Sequence, residues 1–192
     1  MMRGMFIMVS VLVSLTACSM PETKIYSLAL PDTAMIDTTT QDRKASLAII
    51  MDAPRHLSQS YIVYRRSPYQ LQISRYAKWE SPPDEMVKKA IQGSLYDTGK
   101  FHDVSTSSLR SEGSYVLEIN LKRFERTGDG NDVFGELAFD MKLVSSDNRE
   151  LSHAVITKQV KLENRDFQSL AKGLSVVLAE AVREVTAKVI AH

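Results

Sequence analysis

The chain has 192 residues, with 24 basic side chains, 23 acidic side chains and a single cysteine. Its formal net charge at pH 7 is only +1, which gives no electrostatic case for nucleic-acid binding, since that usually requires a strongly basic patch. One cysteine cannot form an internal disulfide, so the fold must be held together by a hydrophobic core. Hydrophobic residues make up 44% of the chain, and its length is ample for one such core.

The first residues resemble a bacterial lipoprotein signal peptide. Arg3 precedes an apolar segment from Met5 to Leu15, and Leu15-Thr16-Ala17-Cys18 follows. A basic start, an apolar centre and small residues before a cleavage point are typical of such peptides. The apolar segment is shorter than the ~20 residues that span a bilayer, which argues against an uncleaved transmembrane anchor. We therefore predict that the Cys18 thiol carries a covalent lipid, although a buried or catalytic thiol is the alternative reading.

This prediction divides the chain into residues 1–17 as signal peptide, 18–23 as lipidated tether and 24–192 as the folded domain. Losing Arg3 with the signal peptide leaves 23 basic and 23 acidic residues, so the mature chain is formally neutral. The lipid would hold the domain on the periplasmic side of a membrane. Ser19 follows the cysteine where an Asp would favour inner-membrane retention in enteric bacteria, so we expect the outer membrane.

Alternation of apolar and polar residues predicts the elements in the first half of the domain. The segment Ser81-Pro82-Pro83-Asp84 predicts a helix start, with Ser81 as N-cap and Pro82 at the first helical position. In chain order we expect a strand at 24–30, a polar loop at 31–44, a strand at 47–51, a hairpin formed by 60–65 and 69–74, and a helix ending near Asp97, followed by Gly99.

The second half predicts strands followed by one long helix. A short strand is expected at 101–105, and three strands at 115–121, 137–143 and 151–162 form an antiparallel meander with one apolar face. Residues 166–190 carry apolar side chains at helical spacing, and this stripe would cover the meander. The predicted fold is α+β: a single domain with a mainly antiparallel sheet and helices packed on one face.

Residues that would support catalysis or metal binding are not arranged for it in the sequence. The four histidines fall in separate segments, and Thr127–Asp132 contains two glycines between predicted strands, which indicates a hairpin turn rather than a phosphate loop or a calcium loop. No serine lies in a nucleophile-elbow context. We therefore predict a protein that is not an enzyme, with no metal site and no cofactor apart from the lipid.

One stretch, residues 60–83, concentrates aromatic residues and arginines. It contains four of the seven tyrosines and the only tryptophan. Aromatic residues and arginines are the side chains that anchor interfaces, but aromatics at alternate positions also fill the core face of a sheet. Both readings stay open for the positions that we single out, which are Tyr64, Arg65, Tyr69, Tyr76 and Trp79. For Trp79, which comes just before the predicted helix start, we expect packing over that start rather than a ligand site.

The same stretch, read as I-V-Y-R…P-Y-x-L…Y…W…P-P-x-x-M after a lipobox and a Tyr-Ser-Leu strand, resembles the ABC-type transport auxiliary lipoproteins, which are paraquat-inducible protein C-like lipoproteins. The resemblance covers most of the mature chain. It implies an accessory role in an intermembrane lipid transport system built on mammalian cell entry (MCE) domains. The expected partners are an MCE-domain protein, whose tunnel would be docked at the outer membrane, and the membrane itself through the lipid anchor.

Other functions remain open at this point. The chain could instead be a structural or regulatory lipoprotein of another envelope machine, for outer-membrane assembly or peptidoglycan synthesis, since a small α+β domain does not define a function. The long C-terminal helix or an exposed strand edge could also mediate self-association into a homo-oligomer. The apolar residues are accounted for by one sheet face and two helix stripes, so we expect a docking role rather than a lipid-carrying cavity.

Overall fold

A computed structural model describes residues 21–30, 45–106, 113–128 and 132–192. These residues form eight strands and two helices in one domain. The elements are β1 (Lys24–Tyr26), β2 (Ala45–Asp52), β3 (Tyr61–Ser67), β4 (Gln70–Trp79), α1 (Pro83–Asp97), β5 (Phe101–Ser105), β6 (Tyr115–Thr127), β7 (Phe134–Val144), β8 (Glu150–Lys161) and α2 (Phe167–Ile190).

The eight strands join one mixed sheet organised around the long strand β6. One edge of β6 pairs antiparallel with β7, which pairs antiparallel with β8. The other edge is shared: β2 runs parallel to the first half of β6, and β3 meets its end, where Tyr64 lies opposite Arg126. The strand β5 extends the sheet beyond β2, and β4 followed by β1 extends it beyond β3.

Both helices pack into the single hydrophobic core, where they contact each other as well as the sheet. The helix α2 begins at the N-cap Asp166, whose carboxylate accepts a hydrogen bond from the Ser169 backbone N–H at 2.7 Å. It lies so close to β8 that a Cβ added at Gly173 would be 2.9 Å from a Val160 methyl group. Neither helix of the described residues is long and apolar enough to cross a membrane.

The predicted α+β domain, with helices on one face of a sheet, is confirmed, and so is the meander, which is β6–β7–β8. The parallel ladders of β2 with β5 and β6, and of β1 with β4, were not predicted, so the sheet is more mixed than expected. Parallel partners come from distant chain segments, and the pattern of one strand does not reveal them.

The start of α1 differs from the prediction. The helix begins at Pro83, Pro82 occupies the N-cap position with ψ of 143°, and no side chain caps it. The reason is that a residue before proline is disfavoured in the helical region, so Pro82 cannot be the first helical residue. The end at Asp97 is confirmed, and Gly99 follows with φ of +67°.

Smaller differences concern strand lengths. The first strand ends at Tyr26 rather than at residue 30, and β4 continues to Trp79 rather than ending at residue 74. The predicted polar loop at 31–44, the lipid-attachment residue Cys18 and residues 129–131 of the predicted 127–132 turn lie outside the described residues.

Candidate functional site

Trp79, the only tryptophan, is a core residue. It is 2% exposed at the end of β4, and its ring meets that of Phe124 edge-on at 5.5 Å between centroids. Its indole N–H is buried and has no hydrogen-bond partner in the described structure. A partner protein could therefore contact neither the ring of Trp79 nor its indole N–H.

Tyr64 of β3 is half-buried, and its side chain packs against the start of α2. Its ring is 6.2 Å from that of Phe167, and the Arg126 guanidinium lies 4.8 Å from the Tyr64 centroid and 5.3 Å from the Phe167 centroid. On the other side of Phe167, Tyr26 of β1 meets it edge-on at 6.1 Å. Aromatic and cation–π contacts of this kind add to area burial, so Tyr64 joins β1, β3, β6 and α2 at one end of the sheet.

Arg65 points to the opposite face of the sheet, because side chains alternate along a strand. Its Nε donates to both carboxylate oxygens of Glu125, at 2.8 and 3.0 Å. The Glu125 side chain is 1% exposed and that of Arg65 is 28% exposed. A second pair joins Arg123 to Glu136 at 2.7 Å, and Glu136 faces Glu125 across the β6–β7 ladder. Arg65 thus holds a buried carboxylate.

This ion-pair network also affects the nearby His56. Burial lowers the pKa of His56, the Glu125 carboxylate raises it, and the Arg65 guanidinium lowers it. Because burial dominates, the neutral imidazole is favoured near neutral pH.

Tyr69 and Tyr76 lie on the β3–β4 hairpin, and both are exposed. The tip is a two-residue turn, Pro68–Tyr69, between the paired Ser67 and Gln70. Tyr69 is 96% exposed, and Tyr76 and the neighbouring Ile73 are each about half exposed. Three exposed large hydrophobic side chains on one hairpin make it a candidate contact surface.

A bulge interrupts the pairing of β4 with β3. Val63 of β3 faces Ile73, but Tyr61 faces Lys78, so residues 74–77 of β4 lie opposite the single residue 62 of β3. The Ser74 hydroxyl accepts a hydrogen bond from the Ala77 backbone N–H at 3.0 Å and stabilises this bulge. Alternation along the strand does not reveal a bulge, whereas it does place Tyr76 and Trp79, three residues apart, on opposite faces.

The hairpin also presents an unpaired backbone edge. The strand β1 pairs with β4 only from Ala77 to Trp79, and β3 meets β6 only at Tyr64. Among the described residues, no other strand pairs with β4 between Gln70 and Tyr76. Such an edge is a template for strand addition by another chain.

One serine–histidine contact was missed by the sequence reasoning. The Ser46 hydroxyl lies 3.4 Å from Nε2 and 3.5 Å from Nδ1 of His102, and Nδ1 also lies 3.0 Å from the Ala45 carbonyl. Near-equal distances to both ring nitrogens place the hydroxyl beside the carbon between them, where no nitrogen lone pair points at it. This is not the geometry of an activated nucleophile. The described ranges also contain no group of metal-ligating side chains.

The family model for the ABC-type transport auxiliary lipoprotein component matches residues 26–186, which is most of the chain and all of the hairpin. This chain belongs to that family. A comparison with curated proteins finds no match. Membership makes the protein an auxiliary lipoprotein component of a transport system, with a place in the cell envelope, and it confirms the resemblance found in the sequence.

Solved structures share the fold. The crystal structure of protein XCC0632 from Xanthomonas campestris has a TM-score of 0.70 at 23% identity, covering 84% of this chain and 92% of that one. The crystal structure of an uncharacterized protein has a TM-score of 0.68 at 16% identity, covering 88% and 99%. The hypothetical protein CT253 from Chlamydia trachomatis is more distant, with a TM-score of 0.50 at 9% identity, covering 76% and 96%. At these identities the likeness concerns the fold alone.

Proposed function

We propose that the protein is the lipid-anchored, non-enzymatic accessory subunit of an MCE-type intermembrane lipid transport system, and that it docks the transport tunnel at the outer membrane. Family membership supports the transport role. The lipid would be attached to Cys18, which ends the lipobox Leu15-Thr16-Ala17-Cys18. The Ser19 that follows supports the outer membrane as its location.

The observation that carries the docking role is the β3–β4 hairpin. No strand of the described residues covers the edge of β4 from Gln70 to Tyr76, which leaves its backbone N–H and C=O groups available to a partner, and the side chains of Ile73 and Tyr76 lie exposed along it. Main-chain hydrogen bonds supply affinity in strand addition, and side chains at such an edge supply specificity. A partner strand, or the same edge of a second copy in a homo-oligomer, would complete this side of the sheet.

The experiment is affinity purification of the full-length, lipidated protein from crosslinked cells, with identification of the co-purified proteins. We expect an MCE-domain protein with the unchanged chain, and its recovery to fall at least severalfold in Ile73→Asp and Tyr76→Asp. The matched control is Val155→Asp, which places the same charge on an exposed apolar position, 67% accessible, on β8 at the other side of the sheet.

Recovery of a cell-wall synthase or a barrel-assembly component instead would overturn the MCE assignment and favour the alternative envelope machine. Equal loss of the partner in Val155→Asp and Ile73→Asp would overturn the hairpin as the docking edge. The mass of the purified protein in light scattering tests self-association, and a monomer at micromolar concentration would contradict it.

A further inference from the structure

Three side chains form a row across β1, β4 and β3. Lys78 of β4 lies opposite Ile25 in the ladder with β1 and opposite Tyr61 in the ladder with β3. The next residue of β1, Tyr26, packs against Phe167 of α2. Because side chains alternate along a strand, Ile25 and the rest of its row lie on the face of the sheet that α2 does not cover. We call Ile25, Lys78 and Tyr61 the β1 row.

The β1 row is apolar and exposed. Ile25 is 70% exposed, the largest fraction for any large aliphatic side chain of the described residues, and Tyr61 is 39% exposed. The Lys78 ammonium lies 5.7 Å from the centroid of the Tyr61 ring, between the two apolar side chains. Among the described strands, β1 pairs only with β4, so no described strand lies beyond Ile25. Neighbouring exposed apolar side chains of this kind indicate a contact surface.

The chemistry of the β1 row fits the interface between a bilayer and water. Ile25 offers apolar surface, and Tyr61 combines an apolar ring with a polar hydroxyl, as is typical of residues at membrane interfaces. A lysine such as Lys78 lays its carbon chain along apolar surface and extends its ammonium to the headgroups. Glu22 precedes β1, and the Glu80 backbone N–H donates to the Tyr26 carbonyl at its end. The fit is therefore one of amphipathic side chains and not of net positive charge.

The length of the tether limits which surface of the domain can meet the membrane. Cys18 precedes Ile25 by seven residues, which span at most about 25 Å when fully extended. A folded domain of this size is roughly 40 Å across, so its far side cannot reach a bilayer that holds the Cys18 lipid. Residues 21–23 are exposed and lead directly into β1. The β1 row thus lies beside the point where the tether enters the domain.

We propose that the β1 row contacts the membrane that holds the Cys18 lipid, with Ile25 at the boundary between headgroups and acyl chains. The proposal rests on the lipid attachment proposed above but not on the MCE partner. A second contact beside the anchor would limit rotation of the domain about its tether. The free edge of β4 from Gln70 to Tyr76 would then face a constant direction relative to the membrane.

The test measures contact between the β1 row and the acyl chains. Trp79 is the only tryptophan and is buried, so it gives a constant background, and Tyr61→Trp adds one reporter in the row. The full-length protein, with the lipid on Cys18 verified by mass spectrometry, is placed in nanodiscs of phosphatidylcholine with or without brominated acyl chains, because bromine quenches indole fluorescence on contact. Tyr96→Trp is the matched reporter control: Tyr96 is 61% exposed on α1, which packs against β5 at the other end of the sheet.

We expect brominated lipid to quench the reporter at position 61 and not the one at position 96. Adding Ile25→Asp to Tyr61→Trp should weaken the quenching roughly threefold or more, because an apolar contact with the acyl chains is lost. Ile25→Thr keeps a β-branched side chain and should weaken it less. The matched control is Val155→Asp, at a position 67% exposed on β8, which should change nothing. Equal melting temperatures will show that the variants are folded.

Four results would overturn the proposal. They are no quenching at position 61 in protein that carries the lipid, equal quenching at positions 61 and 96, quenching that Ile25→Asp leaves unchanged, and a blue-shifted reporter at position 61 that bromine does not quench. The third would mean that the tether alone sets the distance, and the fourth would identify a protein as the occupant of the row. Absence of the lipid from Cys18 would overturn the proposed anchor as well, whereas loss of the MCE partner in the purification would affect none of these results.

Discussion

We predict that Arg65 stabilises the fold through its ion pair rather than docking a partner. Its guanidinium donates two hydrogen bonds to Glu125, whose side chain is 1% exposed. Removing one member of a buried ion pair costs about 3–5 kcal/mol, because the other charge stays buried without compensation. Arg65 itself is 28% exposed, so some water can reach the pair, and we expect Arg65→Met to lower the free energy of unfolding by about 3 kcal/mol. For a domain of this size that corresponds to a melting temperature lower by roughly 6–12 °C.

Urea and thermal unfolding of the full-length protein, followed by circular dichroism, measure this effect. Arg66→Met is the matched control, since it removes the same charge from the next, exposed residue and should change stability by no more than about 0.5 kcal/mol. Combining Arg65→Met with Glu125→Gln removes the stranded charge, so the double variant should lose less stability than the sum of the two single variants. A loss below about 1 kcal/mol in Arg65→Met, or simple additivity in the double variant, would refute the buried-pair argument.

Two further predictions concern α1 and α2. Gly93→Ala should stabilise the protein by about 0.5–1 kcal/mol, because an added Cβ meets nothing within 4 Å. Gly173→Ala should instead destabilise the protein, since its Cβ would lie 2.9 Å from a Val160 methyl group. Overpacking costs about 1–3 kcal/mol, which outweighs the gain in helix propensity. Changes of the same sign in the free energy of unfolding of the two variants, measured in denaturant, would contradict this. Asp166→Ala should cost about 1 kcal/mol at neutral pH by removing the N-cap. The capping hydrogen bonds lower the pKa of Asp166, so its contribution is complete above the unfolded pKa and is lost as the pH falls through the folded one. The difference from the unchanged protein should therefore shrink below about pH 4, and a constant difference into acid would be inconsistent with a charged cap.

The parts of the fold that were predicted correctly depend on patterns within one segment. The helix α2 has apolar residues at a period near four, and the meander strands alternate with a period of two. The sequence of each of these elements therefore indicates which of its faces is buried. Turns between adjacent antiparallel strands are short and local, which is why β6, β7 and β8 were found in the right order. The family resemblance rested on the hairpin sequence and is supported by a match over residues 26–186.

The parts that sequence reasoning missed depend on contacts between distant segments. The parallel pairing of β2 with both β5 and β6 has no local signal. The bulge at residues 74–77 depends on how β4 pairs with β3, and the sequence of β4 alone does not reveal it.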